Sequence, residues 1–335
     1  MIGRVGFRVL GAIALVGVLG YAASQANPWP SALLIRYAFD WDARNTAQAL
    51  AKHVPADVVA RLDVRYDSGD PDAYLDVYYP AAIENTGRAL PTIVWVHGGA
   101  WISGDKSHIG NYLKILAGRG YTNVSVGYSL APGATYPTPV KQVNAALAYL
   151  NRNAERLHVD ASRLVLAGDS AGAQIAAQVA NIVSAPSYAE AVGVAPGIGR
   201  DQIKGVILHG GAFDVGLAGL DGVVWWLLRS VLWSYSGTRD FLDDRAFARG
   251  SVTRFVTSAF PPGFISAGNS DPLLPQSKAM VAALAAQGVP VDTLFFPDDR
   301  EPALPHEYQF NLDTEAGVQA LSRSLAFLRR HLSTR

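Results

Sequence analysis

The feature that most constrains the fold of this chain is an alternation of short apolar runs with longer helical patterns, which begins near residue 60. Six runs have the length and side chains of buried strands, at residues 92–96, 123–126, 164–167, 206–209, 263–267 and 291–296. Amphipathic helices are predicted between most of them, at residues 109–118, 140–154, 171–183, 276–287 and 314–332. Such crossovers connect parallel strands, so the pattern predicts an α/β fold with a mostly parallel, doubly wound sheet flanked by helices.

Two segments depart from this alternation. Residues 61–66 and 74–79 alternate polar and apolar side chains on either side of a turn sequence, which predicts an antiparallel pair at the sheet edge. Residues of about 213–255 form a long insertion that contains Trp225, Trp226 and Trp233. We interpret this insertion as a small helical cap over the carboxyl ends of the strands, where open α/β sheets bind ligands. The alternative is one ordinary crossover helix with buried tryptophans.

Residues 1–26 carry a targeting pattern. Arg4 and Arg8 flank an apolar stretch over residues 9–23, and small residues follow it up to Ala26. Two interpretations fit equally: a secretory signal peptide cleaved after Ala26, or an uncleaved N-terminal membrane anchor. A buried helix of a soluble domain is disfavoured, because several glycines weaken such a helix. The pattern predicts a protein that is exported or membrane-anchored and faces the extracytoplasmic side.

Residues 27–59 are predicted to form a separate N-terminal helical segment. We expect it to pack on the main domain at residues 60–335. A membrane-surface helix is the less favoured alternative, because the segment lacks the basic face that is typical of one.

The charge composition argues against nucleic acid as a partner. Lysine and arginine total 28, aspartate and glutamate total 28, and only 17% of residues are charged, against roughly 25% in an average globular chain. Binding to phosphates needs a concentrated excess of basic residues that this chain lacks. The chain contains no cysteine, which excludes disulfides, thiolate nucleophiles and cysteine-ligated metal sites.

Ser170 is the candidate nucleophile. The sequence Gly-Asp-Ser-Ala-Gly at residues 168–172 follows the predicted strand 164–167 and precedes the predicted helix 171–183. A nucleophile elbow needs this context, because a strained turn raises the serine oxygen above the sheet edge and the flanking glycines leave room for the turn.

A serine hydroxyl needs a base, which is usually a histidine oriented by a carboxylate. The chain order of this kind of site is serine, acid, histidine, so His209, His306 and His331 are the candidates. His306 lies in a loop after the last predicted strand, and we favour it as the base. Asp271 follows the strand at 263–267, and we favour it as the acid over the alternatives Asp214, Asp298 and Asp299.

A tetrahedral intermediate also needs hydrogen-bond donors, which backbone N–H groups supply. Residues 97–101 read His-Gly-Gly-Ala-Trp and follow the predicted strand 92–96, which is the place for such a loop. A second His-Gly-Gly-Ala occurs at residues 209–212, after a later strand. We interpret the second copy as a wall of small residues or a hinge of the cap.

These motifs together resemble the hormone-sensitive-lipase-like esterases of the α/β-hydrolase superfamily, in particular the carboxylesterase branch with His-Gly-Gly-Ala-Trp. The resemblance covers about residues 60–332 and implies an α/β-hydrolase fold with an oxyanion hole formed by the N–H groups of Gly99, Ala100 and Ala171. Ala100 stands where many relatives have a third glycine, but alanine keeps its N–H. Residues 127–132 read Gly-Tyr-Ser-Leu-Ala-Pro, where Asp-Tyr-Arg-Leu-Ala-Pro is more usual, so a charged pair is absent.

The chain is therefore predicted to be a carboxylesterase or lipase-type serine hydrolase that acts on short to medium acyl esters and needs no metal or cofactor. Trp101, Trp225 and Trp226 are candidate substrate-binding residues, and the N-terminus or the cap is a candidate for membrane association. The alternatives are an amide or formamide hydrolase, a lipase-like enzyme acting on membrane lipids and, least favoured, a non-catalytic lipid-binding protein. The sequence does not indicate an oligomeric state.

Overall fold

The computed structural model describes residues 23–217 and 225–333, together with Gly20. Within them an eight-stranded sheet has the order β1-β2-β4-β3-β5-β6-β7-β8. The strands are β1 (Val58–Arg65), β2 (Tyr74–Pro80), β3 (Leu90–Val96), β4 (Thr122–Val126), β5 (Val159–Asp169), β6 (Ile203–His209), β7 (Gly263–Ser266) and β8 (Val291–Leu294). β2 is antiparallel to β1 and β4, and every other pair is parallel. The mostly parallel sheet and its antiparallel edge pair are therefore as predicted.

Helices cover both faces of the sheet, as the buried strands require. In β3, Ile93 and Trp95 belong to the core on one face, whereas Val94 and Val96 belong to the core on the other. The helices are α1 (Trp29–Leu50), α2 (Gly110–Ala117), α3 (Thr138–Arg152), α4 (Ser170–Ser184), α5 (Pro186–Val192), α6 (Trp225–Ser236), α7 (Leu274–Ala286) and α8 (Glu315–Leu332). The five helices predicted between strands and at the C-terminal end correspond to α2, α3, α4, α7 and α8.

The described part of the insertion predicted as a cap contains α6 and three short 3₁₀ turns, Val215–Leu217, Phe247–Gly250 and Val252–Arg254. Residues 218–224 lie outside the described residues. α6 packs against α1, and the N–H of Tyr136 donates to the carbonyl of Tyr235 at 2.8 Å. The described part of the insertion thus lies against the N-terminal helix and the loop that precedes α3.

The predicted targeting segment, residues 1–26, lies almost entirely outside the described residues. Among the residues that are described, no helix combines the length and the apolar character needed to cross a membrane. The predicted helical segment 27–59 contains α1 and a 3₁₀ turn, Ala51–His53.

Polar contacts fix α1 on the main domain. The Arg36 side chain donates from Nε to the carbonyl of Ile102 at 2.6 Å and from Nη2 to the carbonyl of Ala131 at 2.9 Å. The N–H of Gly104 donates to the Asp40 carboxylate at 2.8 Å. Since Ile102 and Gly104 belong to the loop after β3, these bonds couple the position of α1 to that of the loop.

We expect Arg36→Ala to lower the free energy of unfolding by about 2 kcal/mol, because it removes charge-assisted hydrogen bonds and leaves two carbonyls without a donor. Arg44→Ala, at an exposed position of the same helix, is the matched control and is expected to have an effect within about 0.5 kcal/mol. Denaturant unfolding measures both. Equal stability of the two variants would contradict this role of Arg36.

Candidate active site

Ser170 lies at the junction of β5 and α4, in a strained conformation. Its φ is 51°, in the left-handed region that a residue with a side chain rarely adopts. A Cβ atom added to Gly172 would lie 2.1 Å from the carbonyl oxygen of Val96, and one added to Gly168 would lie 2.6 Å from the carbonyl carbon of Gly172. Both flanking glycines are therefore required by close backbone contacts, which is the geometry that the elbow motif predicts.

His306 and Asp271 form a hydrogen-bonded pair at the ends of β8 and β7. The distance from His306 Nδ1 to Asp271 Oδ2 is 2.9 Å. The other carboxylate oxygen of Asp271 accepts the N–H of Leu273 at 2.7 Å, so the carboxylate is held from both sides. Asp271 is buried. Nε2 is therefore the ring nitrogen of His306 that does not contact Asp271.

The second His-Gly-Gly-Ala sequence borders this pair. Gly210 has a positive φ of 53°, and a Cβ atom there would lie 2.7 Å from Asp271 Oδ2 and 3.1 Å from His306 Cε1. His209 is buried beneath, with Nδ1 2.6 Å from the hydroxyl of Ser266. The segment therefore provides space for the acid and the base, which is the small-residue wall that we expected.

The loop after β3 has the backbone conformation of an anion-binding turn. Gly99, Ala100 and Trp101 all have positive φ, at 109°, 53° and 59°. The carbonyl of Gly99 accepts the N–H groups of Ile102 and Ser103. In the described part of the chain, the N–H groups of Gly99 and Ala100 have no hydrogen-bond acceptor, so they are available to an oxyanion.

Asp169 connects this loop to the nucleophile elbow. Its carboxylate accepts the indole N–H of Trp95 at 2.6 Å and the N–H of Gly98 at 2.7 Å. Burial and the charge of Glu307 raise the pKa of Asp169 well above its usual range. Asp169, the residue before Ser170, therefore links the end of β5 to β3 and to the loop after β3 by buried hydrogen bonds.

A cavity of about 170 Å³ brings the predicted residues together. Ser170, His306, Gly99 and Ala100 all line it, while Asp271 lies behind His306. Ala171 follows Ser170 at the start of α4 and is buried. The opposite wall comes from α1 and consists of Phe39, Asp42, Ala43, Thr46 and Leu50.

The insertion was predicted to cover the site, and this stays a prediction, because residues 218–224 of the insertion lie outside the described residues. Within the described residues, the cavity is lined by α1 and by no residue of the insertion. Sequence periodicity places a helix at residues 29–50 but carries no information on which strand ends that helix covers, because the contact is long-range.

The tryptophans predicted to bind substrate have other surroundings. Trp101 is buried and stacks on Tyr235 at 4.7 Å, and its indole N–H donates to Gln174 at 3.2 Å. Trp226 is 45% exposed and does not line the cavity. The side chain of Trp225 lies outside the described residues. Trp101 therefore packs the oxyanion loop against α4 and α6.

Three of the rival acids and bases, Asp214, His209 and His331, have structural roles. Asp214 pairs with Arg254 at 3.1 Å, and His331 packs on Phe327 with ring centroids 4.4 Å apart. Burial lowers the pKa of His209 to about 3, so this histidine stays neutral. Sequence reasoning missed Glu307, whose side chain lines the cavity beside His306. The signal available was its place directly after the predicted base.

Comparisons with known proteins support the same family. A family model described as "alpha/beta hydrolase fold" matches residues 93–300. The chain belongs to this α/β-hydrolase family. It is 31% identical over 293 residues to carboxylesterase NlhH of Mycobacterium tuberculosis. The alignment covers 80% of this chain and 81% of that protein. The chain is accordingly a carboxylesterase-type hydrolase of the hormone-sensitive-lipase-like branch.

A solved structure extends the comparison. Esterase B of Lactobacillus rhamnosus superposes with a TM-score of 0.77 and 25% identity, over 91% of this chain and 96% of that one. A further structure of that esterase is inhibited by a C4-C4 tributyrin phosphonate. Esterase LipQ of M. tuberculosis is 26% identical over 68% of this chain and 53% of that protein.

The charges around His306 predict an alkaline pH profile. Burial alone would lower the pKa of His306, but the hydrogen bond with Asp271 and the charges of Glu307, Asp271 and Asp169 raise it to about 9. A base must be neutral to accept a proton, so we expect kcat/KM for an uncharged ester to rise with pH through a midpoint near 9. Initial rates corrected for spontaneous hydrolysis measure this. A midpoint near 6.5, the value of an unperturbed histidine, would contradict it.

Proposed function

We propose that the protein is a serine carboxylic-ester hydrolase that acts through an acyl-enzyme on short to medium acyl esters, without metal or cofactor. The observation that carries the proposal is the His306–Asp271 hydrogen bond at the edge of a cavity that also contains Ser170 and the loop of Gly99 and Ala100. These are the parts that nucleophilic acyl transfer needs: a nucleophile, an oriented base and donors for the oxyanion.

In this mechanism, Ser170 Oγ attacks the ester carbonyl carbon while Nε2 of His306 takes the hydroxyl proton. The carbonyl oxygen becomes an oxyanion, to which the N–H groups of Gly99, Ala100 and Ala171 donate. The bond to the leaving alcohol then breaks, and the imidazolium gives its proton to that alcohol. Water attacks the acyl-enzyme by the same route, which releases the acid and restores Ser170.

The preference for short to medium acyl chains is supported by the size of the cavity. Its volume of about 170 Å³ is below the range of roughly 300–1,000 Å³ that is typical of pockets for drug-sized ligands. Structures of esterase B with a C4-C4 tributyrin phosphonate and with a C6-C4 inhibitor also support acyl chains of this length. The α1 wall contributes to this limit, because Phe39 and Thr46 line the same cavity as Ser170 and His306.

A fluorophosphonate probe and an ester panel test the function. We expect the wild-type protein to be labelled and Ser170→Ala to be unlabelled, with a loss of at least about 10³-fold in kcat, because residual rates without the nucleophile are low. Across p-nitrophenyl esters from C2 to C16, the rate should be highest at short to medium chains. Ser187→Ala, an exposed serine, serves as the control.

Equal labelling of wild type and Ser170→Ala would refute the nucleophile, and a maximum at C16 would refute the chain-length preference. Faster cleavage of the matching anilides or formamides than of esters would favour the amide-hydrolase alternative.

One observation favours a second role, the action of this hydrolase at a lipid bilayer. The exposed residues between Trp29 and Trp41 of α1 are all apolar, aromatic or proline. Five of them, here called the α1 stripe, are between 41% and 70% exposed: Trp29, Leu33, Leu34, Tyr37 and Trp41. Their spacing of three and four residues places them on one face of the helix.

A bilayer is the occupant that this face fits. Tryptophan and tyrosine are enriched at membrane interfaces, and the apolar stretch with its flanking arginines directly precedes α1 in the chain. The charged residues within the same span, Arg36 and Asp40, are turned inward and bonded to the domain. We accordingly propose that the protein is exported or membrane-anchored, with the α1 stripe on the membrane surface. N-terminal sequencing of the mature protein distinguishes cleavage after Ala26 from an uncleaved anchor.

Vesicle binding tests the α1 stripe. We expect the triple variant Leu34→Ser, Tyr37→Ser and Trp41→Ser to bind phosphatidylcholine–phosphatidylglycerol vesicles at least roughly tenfold more weakly than wild type. The reason is that it lacks three apolar side chains that the bilayer would bury. The matched control replaces scattered exposed residues, Leu62→Ser, Leu242→Ser and Val318→Ser. Cosedimentation measures the binding.

A protein that begins at Asn27 distinguishes the contribution of the α1 stripe to vesicle binding from that of residues 1–26. If the triple variant binds like wild type and only removal of residues 1–26 abolishes binding, the stripe is not the membrane contact. If the protein does not bind vesicles but its molecular mass in solution increases with protein concentration, the occupant of the α1 stripe is a second copy of the chain.

A further inference from the structure

Glu307 has a conformation that turns its side chain toward the catalytic histidine. Its φ is 59°, a left-handed value that is rare for a residue with a side chain and is maintained only where the surroundings require it. The result is that Glu307 Oε1 lies 3.7 Å from Nε2 of His306. Two adjacent residues thus both direct their side chains into the cavity, where Asp271 holds Nδ1 and Glu307 faces Nε2.

Glu307 also lies beside Asp169, which links the elbow to the oxyanion loop. The charge of Glu307 adds to the effect of burial in raising the pKa of Asp169. The two groups meet over Gly98, where an added Cβ atom would lie 2.3 Å from Asp169 Oδ2 and 2.9 Å from Glu307 Oε1. Three segments that carry catalytic parts therefore converge on this pair: the end of β5, the loop after β3 and the loop after β8.

Asp169 is the buried member of the two, and burial together with the charge of Glu307 raises its pKa well above the usual range. The charge of Glu307 also acts on His306, since it raises the pKa of the imidazole against the effect of burial. The other titratable groups that face Glu307 and His306 from neighbouring elements are Asp42, His97, Asp105, His108 and Asp271. Among the described residues, the carboxylates within 4.0 Å of the His306 ring nitrogens are Asp271 at Nδ1 and Glu307 at Nε2.

We propose that Glu307 is a positioning residue of the proposed ester hydrolysis, which stabilises the imidazolium form of His306 on its Nε2 side and sets the pH at which His306 becomes a base. At 3.7 Å the contact is an ion pair without proton transfer, so Nε2 keeps its proton for the leaving alcohol. The same charge stabilises the imidazolium that forms as Ser170 attacks. In the resting enzyme it raises the pH at which His306 loses its proton. This inference rests on the proposed function, because only a serine hydrolase uses His306 in this way.

The pH profile of Glu307→Gln tests the proposal, because glutamine keeps the shape and removes the charge. We expect the midpoint of kcat/KM against pH to fall by roughly one unit. The proton is only partly transferred to His306 in the transition state. The change in kcat/KM is therefore divided between the pH range below the midpoint and the range above it. The variant should be roughly threefold faster well below the wild-type midpoint and roughly threefold slower above it, so that the two profiles cross.

Glu301→Gln is the matched control, because it makes the same change of charge at an exposed position of the same loop. Its profile should superimpose on that of wild type. Glu307→Asp keeps the charge at a greater distance and should give an intermediate midpoint, which provides a second variant should Glu307→Gln fail to fold. A Glu307→Gln profile that superimposes on wild type, or one that is lowered by the same factor at every pH, overturns the proposal.

NMR titration of the His306 ring separates this inference from the proposed function. The resonance is assigned by its loss in His306→Gln, and its midpoint should fall by roughly one unit in Glu307→Gln in the resting protein. If Ser170→Ala retained full activity while this shift occurred, the serine mechanism would fail and the contact would stand. If the ring midpoint did not move, the role of Glu307 would fail whatever the nucleophile.

Discussion

The carboxyl group of Asp169 is the contact on which the geometry of the site depends. It lies at the end of β5, immediately before the nucleophile, and accepts hydrogen bonds from Trp95 in β3 and from Gly98 in the following loop. Relative movement of these strands would break the two bonds, and an unpaired donor at this depth costs more than the bond itself contributes. The buried carboxyl therefore stabilises the position of the loop relative to Ser170.

The strained backbone around Ser170 is supported by the same packing. Gly172 lies against the carbonyls of Val96 and His97, so that α4 begins in contact with the end of β3. The left-handed conformations of Ser170, Ala100 and Trp101 each have an energetic cost, and they persist because the neighbouring strands are held together. Trp101 contributes through its stacking on Tyr235, which connects the oxyanion loop to α6.

The sheet and the positions of Ser170, Asp271 and His306 follow from local sequence. Strand and helix periods differ, and the ends of parallel strands meet at one edge, so chain order alone places these three residues near each other. Glu307 and the α1 wall could not be found in this way. The direction of the Glu307 side chain depends on one backbone angle, and the contact of α1 with the cavity joins residues far apart in sequence. Trp101 was placed in the correct loop, but its side chain points into packing that periodicity does not reveal.

The two His-Gly-Gly-Ala sequences follow β3 and β6, the strands that pair with β5 on its two sides. The same four residues therefore lie on both sides of Ser170 and have different structural roles: the first copy presents backbone N–H groups, and Gly210 of the second leaves space for Asp271 and His306. What a short peptide contributes is thus decided by which strand it extends. Exchange of one copy for the other would leave the protein sequence at both places unaltered, yet the two sides of Ser170 differ: the backbone N–H groups of Gly99 and Ala100 lie on the β3 side, and the His306–Asp271 pair borders Gly210 on the β6 side.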